Sequence, residues 1–84
     1  MNNKVLVKVI SPHFNGEYDV FIPTNEYIYV VTKLIVKVLK DINEVGSDSK
    51  TIFQLMNIDT GVIYKQADIV RDTDIRNSTK LMLI

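Results

Sequence analysis

An α+β fold, one mixed sheet of four to five strands packed on a single amphipathic helix, is what this sequence predicts. Three observations carry the prediction. Short β-branched or leucine-rich segments stand at both ends, "KVLVKVI" and "TKLMLI"; one long segment, Val30 to Ile42, repeats its apolar residues at helical spacing; and Asn-Gly and Asp-Thr-Gly turns separate strand-like stretches. The chain has 84 residues, which is room for one core, so residues 1–84 read as a single domain. Apolar residues make up 46% and charged residues 24%, the balance of a folded globular protein and not of a disordered one.

The elements follow in order. In Lys4 to Ile10, Val5, Val7 and Val9 alternate with Lys4, Leu6, Lys8 and Ile10, which predicts a strand with the valines inward. Pro12 breaks the ladder, and Asn15-Gly16 is expected to supply the positive-φ positions of a hairpin turn. The second strand then buries Tyr18, Val20 and Ile22, turns Asp19 and Phe21 outward, and stops at Pro23. For the helix, Val30, Val31, Leu34, Ile35, Val38, Leu39 and Ile42 form the predicted inner face and Thr32, Lys33, Lys37, Lys40 and Asp41 the outer one. Its start falls between Thr24 and Val30, with Thr24 or Asn25 as the N-cap, and its end near "NEVGSDS". In Thr51 to Ile58 the alternation points Phe53 and Leu55 inward and Ile52 and Met56 outward; a one-residue slip would reverse all four. Asp59-Thr60-Gly61 turns the chain into a short hairpin ending at Ile63, a segment of turns anchored by Ile69 and Ile75 follows, and Lys80 to Ile84 closes the sheet with Leu81 and Leu83 inward. First and last strands then pair in parallel at the centre through a right-handed crossover. A sheet holding one helix in this way is a β-grasp.

Composition narrows the function classes. Ten Lys plus Arg balance ten Asp plus Glu, so no net field draws the protein to nucleic acid or anionic lipid, and neither is expected as a partner. With no cysteine there is neither a disulfide framework nor thiol chemistry. The N-terminal "MNNKVLVKVI" lacks a signal-peptide core, and Lys33 and Lys37 interrupt "YIYVVTKLIVKVL", so neither a leader nor a membrane insertion is expected.

The sequence holds no constellation that points to catalysis or metal binding. His13 is the single histidine and sits beside Pro12 in a turn, with no second base or nucleophilic thiol for a triad. Asp68, Asp72 and Asp74 lack the glycine and closing glutamate of a calcium loop and read as turn formers and caps. No enzyme, cofactor or metal site is expected. What remains is surface: Leu6, Phe21, Ile52, Met56, Met82 and Ile84 all point, by alternation, to the sheet face away from the helix, with Lys8 among the lysines that rim them. These residues form the candidate protein-binding face, with Leu6, Met82 and Ile84 expected on adjacent strands. Scattered surface apolar residues are ordinary, but this many on one face mark a binding site, and methionine suits adaptable contacts.

The residues also carry a resemblance. "DTDIRNSTKLMLI" looks like the close of a ubiquitin-like domain, in which an aspartate opens a turn, an isoleucine three residues on plugs the core and a strand completes the sheet; here these are Asp72, Ile75 and Leu81 with Leu83. "FNGEYDVFIP", "KLI" inside the helix and a last strand at the chain's end resemble the small YukD/EsaB proteins of type VII secretion in Gram-positive bacteria. The resemblance implies a non-enzymatic, cytoplasmic accessory or regulatory component of that secretion system. Its partners would be cytosolic domains of the membrane components or the ATPase, held through the outer sheet face. A homodimer on the same face, or a ubiquitin-like adaptor unrelated to secretion, are the alternatives. None of Gly16, Gly46 and Gly61 stands near Ile84, so a Gly-Gly tail is absent from this sequence and conjugation is not expected.

Overall fold

The computed structural model describes residues 3–44 and 52–84. Strands β1 (Lys4–Ser11) and β2 (Gly16–Pro23) are followed by helix α1 (Ile28–Ile42), strand β3 (Leu55–Asn57), a single 3₁₀ turn (Val70–Asp72) and strand β4 (Lys80–Leu83). The sheet runs β2-β1-β4-β3, with β1 and β4 parallel at its centre and both outer pairs antiparallel. This is the predicted β-grasp with four strands. The expected second hairpin reduces to one isolated bridge, Met56 to Ile63, because Asn57 folds the chain over before a ladder can grow. Its side-chain carbonyl accepts the N–H groups of Asp59 and Thr60, and Gly61 closes the turn at φ 73°.

The core lies between sheet and helix. Val7, Val9, Ile22, Leu55, Leu81 and Leu83 from the sheet meet Ile28, Val31, Ile35 and Leu39 from α1, all within 1% of full burial. The strand alternation therefore reads as expected, including in the segment from Ile52, where Leu55 is buried and Ile52 is 88% exposed. Helix α1 ends at Ile42, just before the "NEVGSDS" segment expected to end it; residues 45–51, which include Thr51 at the start of the predicted strand, lie outside the described residues.

Four expectations need correction. The helix presents a rotated face: Leu34, Val38 and Ile42, expected inward, are exposed, Val30 is half-buried, and Ile28 and Thr32 are buried. Thr32 can enter the core because its hydroxyl donates to the Ile28 carbonyl at 2.8 Å, which hides its polarity inside the helix. Neither Thr24 nor Asn25 caps α1. Tyr27 is the N-cap, without a side-chain bond, and the first helical N–H groups, those of Ile28 and Tyr29, donate to the carbonyls of Asp68 and Gln66 at 2.8 and 3.2 Å. Asn15 does adopt a positive φ of 56°, but Gly16 does not; a Cβ at Gly16 would stand 2.9 Å from the Tyr18 hydroxyl, so that glycine makes room for a ring. Finally, the 60s–70s segment is anchored by Val70 and Ile75, both buried, while Ile69 is half-buried in a bridge to Tyr27.

Candidate protein-binding face

The strands place side chains on the outer face in rows. Met82 lies in register with Ile10 on one side and Met56 on the other, and Met56 bridges to Ile63, so an apolar row crosses the sheet from Ile10 to Ile63. Ile84 prolongs this patch. Its N–H and C=O exchange hydrogen bonds with Gln54, both at 2.9 Å, and its side chain is 43% exposed. A second row is charged: Lys8 stands between Asp19 on one neighbouring strand and Lys80 on the other. The third row pairs Leu6 with Phe21, which is 63% exposed.

This geometry divides the predicted patch. Leu6 does not neighbour Met82, because β1 and β4 pair Ile10 with Met82; Leu6 stands four residues along the strand, roughly 13 Å away. It sits instead where β4 begins, its N–H held by the Asn77 side chain at 2.9 Å and its carbonyl by the Ser78 N–H at 2.8 Å. Met56, Met82 and Ile84 are brought together; Leu6 and Phe21 form a separate pair beyond the Lys8 and Lys80 row. Ile52 precedes Gln54, the partner of Ile84, and extends past the paired end of the sheet. Sequence reasoning missed Ile10 and Ile63 as members of the row. The alternation of β1 does put Ile10 on the outer face, but only the parallel register puts it beside Met82.

The remaining chemistry-bearing residues have local roles. His13 is exposed in the β1–β2 turn, its ring edge-on to Phe14 and Phe53 at 4.9 and 5.2 Å. Tyr64, on the chain returning past β3, donates from its hydroxyl to Asp74 Oδ1 at 2.5 Å and accepts from Asn57 Nδ2 at 3.1 Å. Burial first, then the Asp74 carboxylate, push its phenol up to about 12, against the opposing effect of the Asn57 hydrogen bond. Asp74 is thus a partner of Tyr64, and Asp68 supplies a backbone carbonyl to α1. Among the described residues no three His, Cys, Asp or Glu side chains gather as metal ligands would, and no helix is long and apolar enough to cross a membrane.

No protein-family model matches the chain, and no curated protein matches it either. Solved structures do. The MycP5-free ESX-5 inner membrane complex contains a chain that superposes with a TM-score of 0.80 at 16% identity, over 99% of this chain and 21% of that one. The ubiquitin-like domain of the Mycobacterium tuberculosis type VII secretion protein EccD1 gives 0.74 at 14% identity, over 96% of this chain and 97% of that one. The N-terminal ubiquitin-like domain of the 4931431F19Rik protein gives 0.74 at 19%, over 100% of this chain and 76% of that one. A likeness at these identities speaks for the fold, and together with the register above it shows that this chain has the ubiquitin-like β-grasp fold.

Proposed function

We propose that this chain is a non-enzymatic accessory or regulatory component of a bacterial type VII secretion system, of the YukD/EsaB kind. It acts in the cytoplasm by binding protein partners through the outer sheet face. The observation that carries the reading is the apolar row Ile10, Met82, Met56 and Ile63, with Ile84 beside it, on the sheet face away from the helix, where Ile63 and Ile84 are exposed and Ile10, Met56 and Met82 half-buried. A row of this kind, flanked by Lys8 and Lys80, has the apolar centre and charged rim of a protein interface. The likeness to the EccD1 domain supports placing that interface in secretion. Partners are then cytosolic domains of the membrane components or the ATPase. The proposed contact residues are Met56, Met82, Ile84 and Lys8, with Ile52 at one end and Leu6 with Phe21 at the other.

A second reading, a ubiquitin-like adaptor or self-associating module outside secretion, has one observation in its favour: the likeness to the 4931431F19Rik domain equals that to EccD1, both at a TM-score of 0.74. Titrating the labelled protein with the cytosolic domains of the membrane components and ATPase encoded beside it separates the readings. Amide shifts centred on Met56, Met82 and Ile84 support secretion docking; binding to none of those domains removes it.

A further inference from the structure

Backbone directions decide where β2 can accept a neighbour. The Lys8 N–H donates to the Thr79 carbonyl at 3.0 Å and the Ser78 N–H to the Leu6 carbonyl at 2.8 Å, so even-numbered residues of β1 turn their backbone groups toward β4. The odd-numbered ones face β2, and their partners in register are its even-numbered residues, Gly16, Tyr18, Val20 and Ile22. Glu17, Asp19 and Phe21 therefore direct their N–H and C=O groups away from β1. In the order β2-β1-β4-β3, no described strand lies beyond β2. The other side of the sheet is different, since the Asn57 N–H donates to Val62 and the Tyr64 N–H to Leu55, which covers β3 with returning chain.

We infer that the free edge of β2 takes up, as an added strand, an extended segment of a partner protein that alternates apolar and basic residues. A strand laid there pairs its backbone with Glu17, Asp19 and Phe21. Its inward side chains lie beside half-buried Tyr18 and Val20, and its outward ones beside Glu17, Asp19 and Phe21. The pattern those neighbours require is already written in β1, which sets Val7 and Val9 inward, Lys8 opposite Asp19 and Leu6 opposite Phe21. A second copy is the poorer occupant, because pairing two β2 edges brings Glu17 and Asp19 of both chains, four carboxylates, onto one face.

The test uses the labelled full chain and two end-blocked synthetic peptides, Leu-Val-Lys-Val-Lys-Val, which laid antiparallel sets its leucine opposite Phe21 and its lysines opposite Asp19 and Glu17, and its counterpart with glutamate for lysine. In the free protein the amides of Glu17, Asp19 and Phe21 exchange fast while those of Tyr18, Val20 and Ile22 are protected. The lysine peptide shifts and protects the first three and binds about tenfold more tightly than the glutamate peptide, the effect of two cross-strand charge pairs turned from attraction to repulsion. The double variant Glu17→Lys, Asp19→Lys reverses the preference; should it not fold, high salt applied to the unaltered protein shrinks the preference instead. Equal binding of both peptides, absence of shifts at the three amides, or their protection rising with protein concentration alone overturns the inference. Met82→Asp leaves this binding unchanged, so its failure and the failure of outer-face docking are seen separately.

Discussion

Burial and the Asp74 carboxylate raise the titration of the Tyr64 phenol. Its hydroxyl ties the turn after β3, through Asn57, to the segment before β4, through Asp74. In an unfolded chain the phenol titrates near 10; folded, it holds its proton up to about 12. Between these values the native state carries a proton that the unfolded state has lost, so the contribution is complete below pH 10 and disappears as pH rises through 12. Its size is about 1.5–2 kcal/mol, less than two full pKa units at about 1.36 each, because the phenol is part-buried and solvent screens it. Urea unfolding from pH 8 to 12 is expected to show Tyr64→Phe destabilised by roughly 1.5–3 kcal/mol at pH 8, with the gap to the parent closing at the alkaline end. A gap that stays constant would remove Asp74 and burial as its source. Nothing in the sequence announces this network, because Tyr64 and Asp74 are ten residues apart and an aspartate among turn residues is explained well enough as a turn former. Leu55, in contrast, was legible from alternation, and Leu55→Ala in this closely packed core is expected to cost about 2–5 kcal/mol by thermal unfolding.

At the scale of elements, strands were easier to read than the helix. A strand has a period of two, and one unambiguous residue such as Gln54 sets the face of all its neighbours. The α1 stripe depends on where the helix starts, and that start is set from a distance by the carbonyls of Gln66 and Asp68. Because the caps are backbone groups, Asn25→Ala and Asp68→Ala are expected to leave helix content by circular dichroism unchanged and stability within about 0.5 kcal/mol. A loss of about 1 kcal/mol or more at Asn25 would restore it as the cap. Thr32, read as a surface residue, shows the second source of error: a hydroxyl bonded within its own helix is no longer polar to the core. Turn chemistry was legible in part. Gly61 at φ 73° has open space around a Cβ, so Gly61→Ala tests backbone conformation alone and is expected to cost about 1–2 kcal/mol in urea unfolding.

For the whole molecule, the β-grasp followed from element order and the parallel pairing of the first and last strands, both visible in the hydrophobic pattern. The outer face was legible as a set of residues but not as a surface. Alternation says which side a residue faces; the parallel register of β1 on β4 decides that Ile10, and not Leu6, lies beside Met82. That register is held in part by the Asn77 side chain accepting the Leu6 N–H, a contact across 71 residues that no local pattern encodes. The functional claim rests on this surface, in which Met82 is the middle of the apolar row and Lys8 and Lys80 its charged border. The measurement that bears on it most directly is an amide-shift titration of the labelled protein, and of Met82→Asp, with the cytosolic domains proposed as its partners. The account predicts shifts at Ile10, Met56, Met82 and Ile84, and binding at least about thirtyfold weaker for a Met82→Asp variant that keeps a folded spectrum. Shifts confined to α1 and the turns, or Met82→Asp binding as well as the parent, would contradict it.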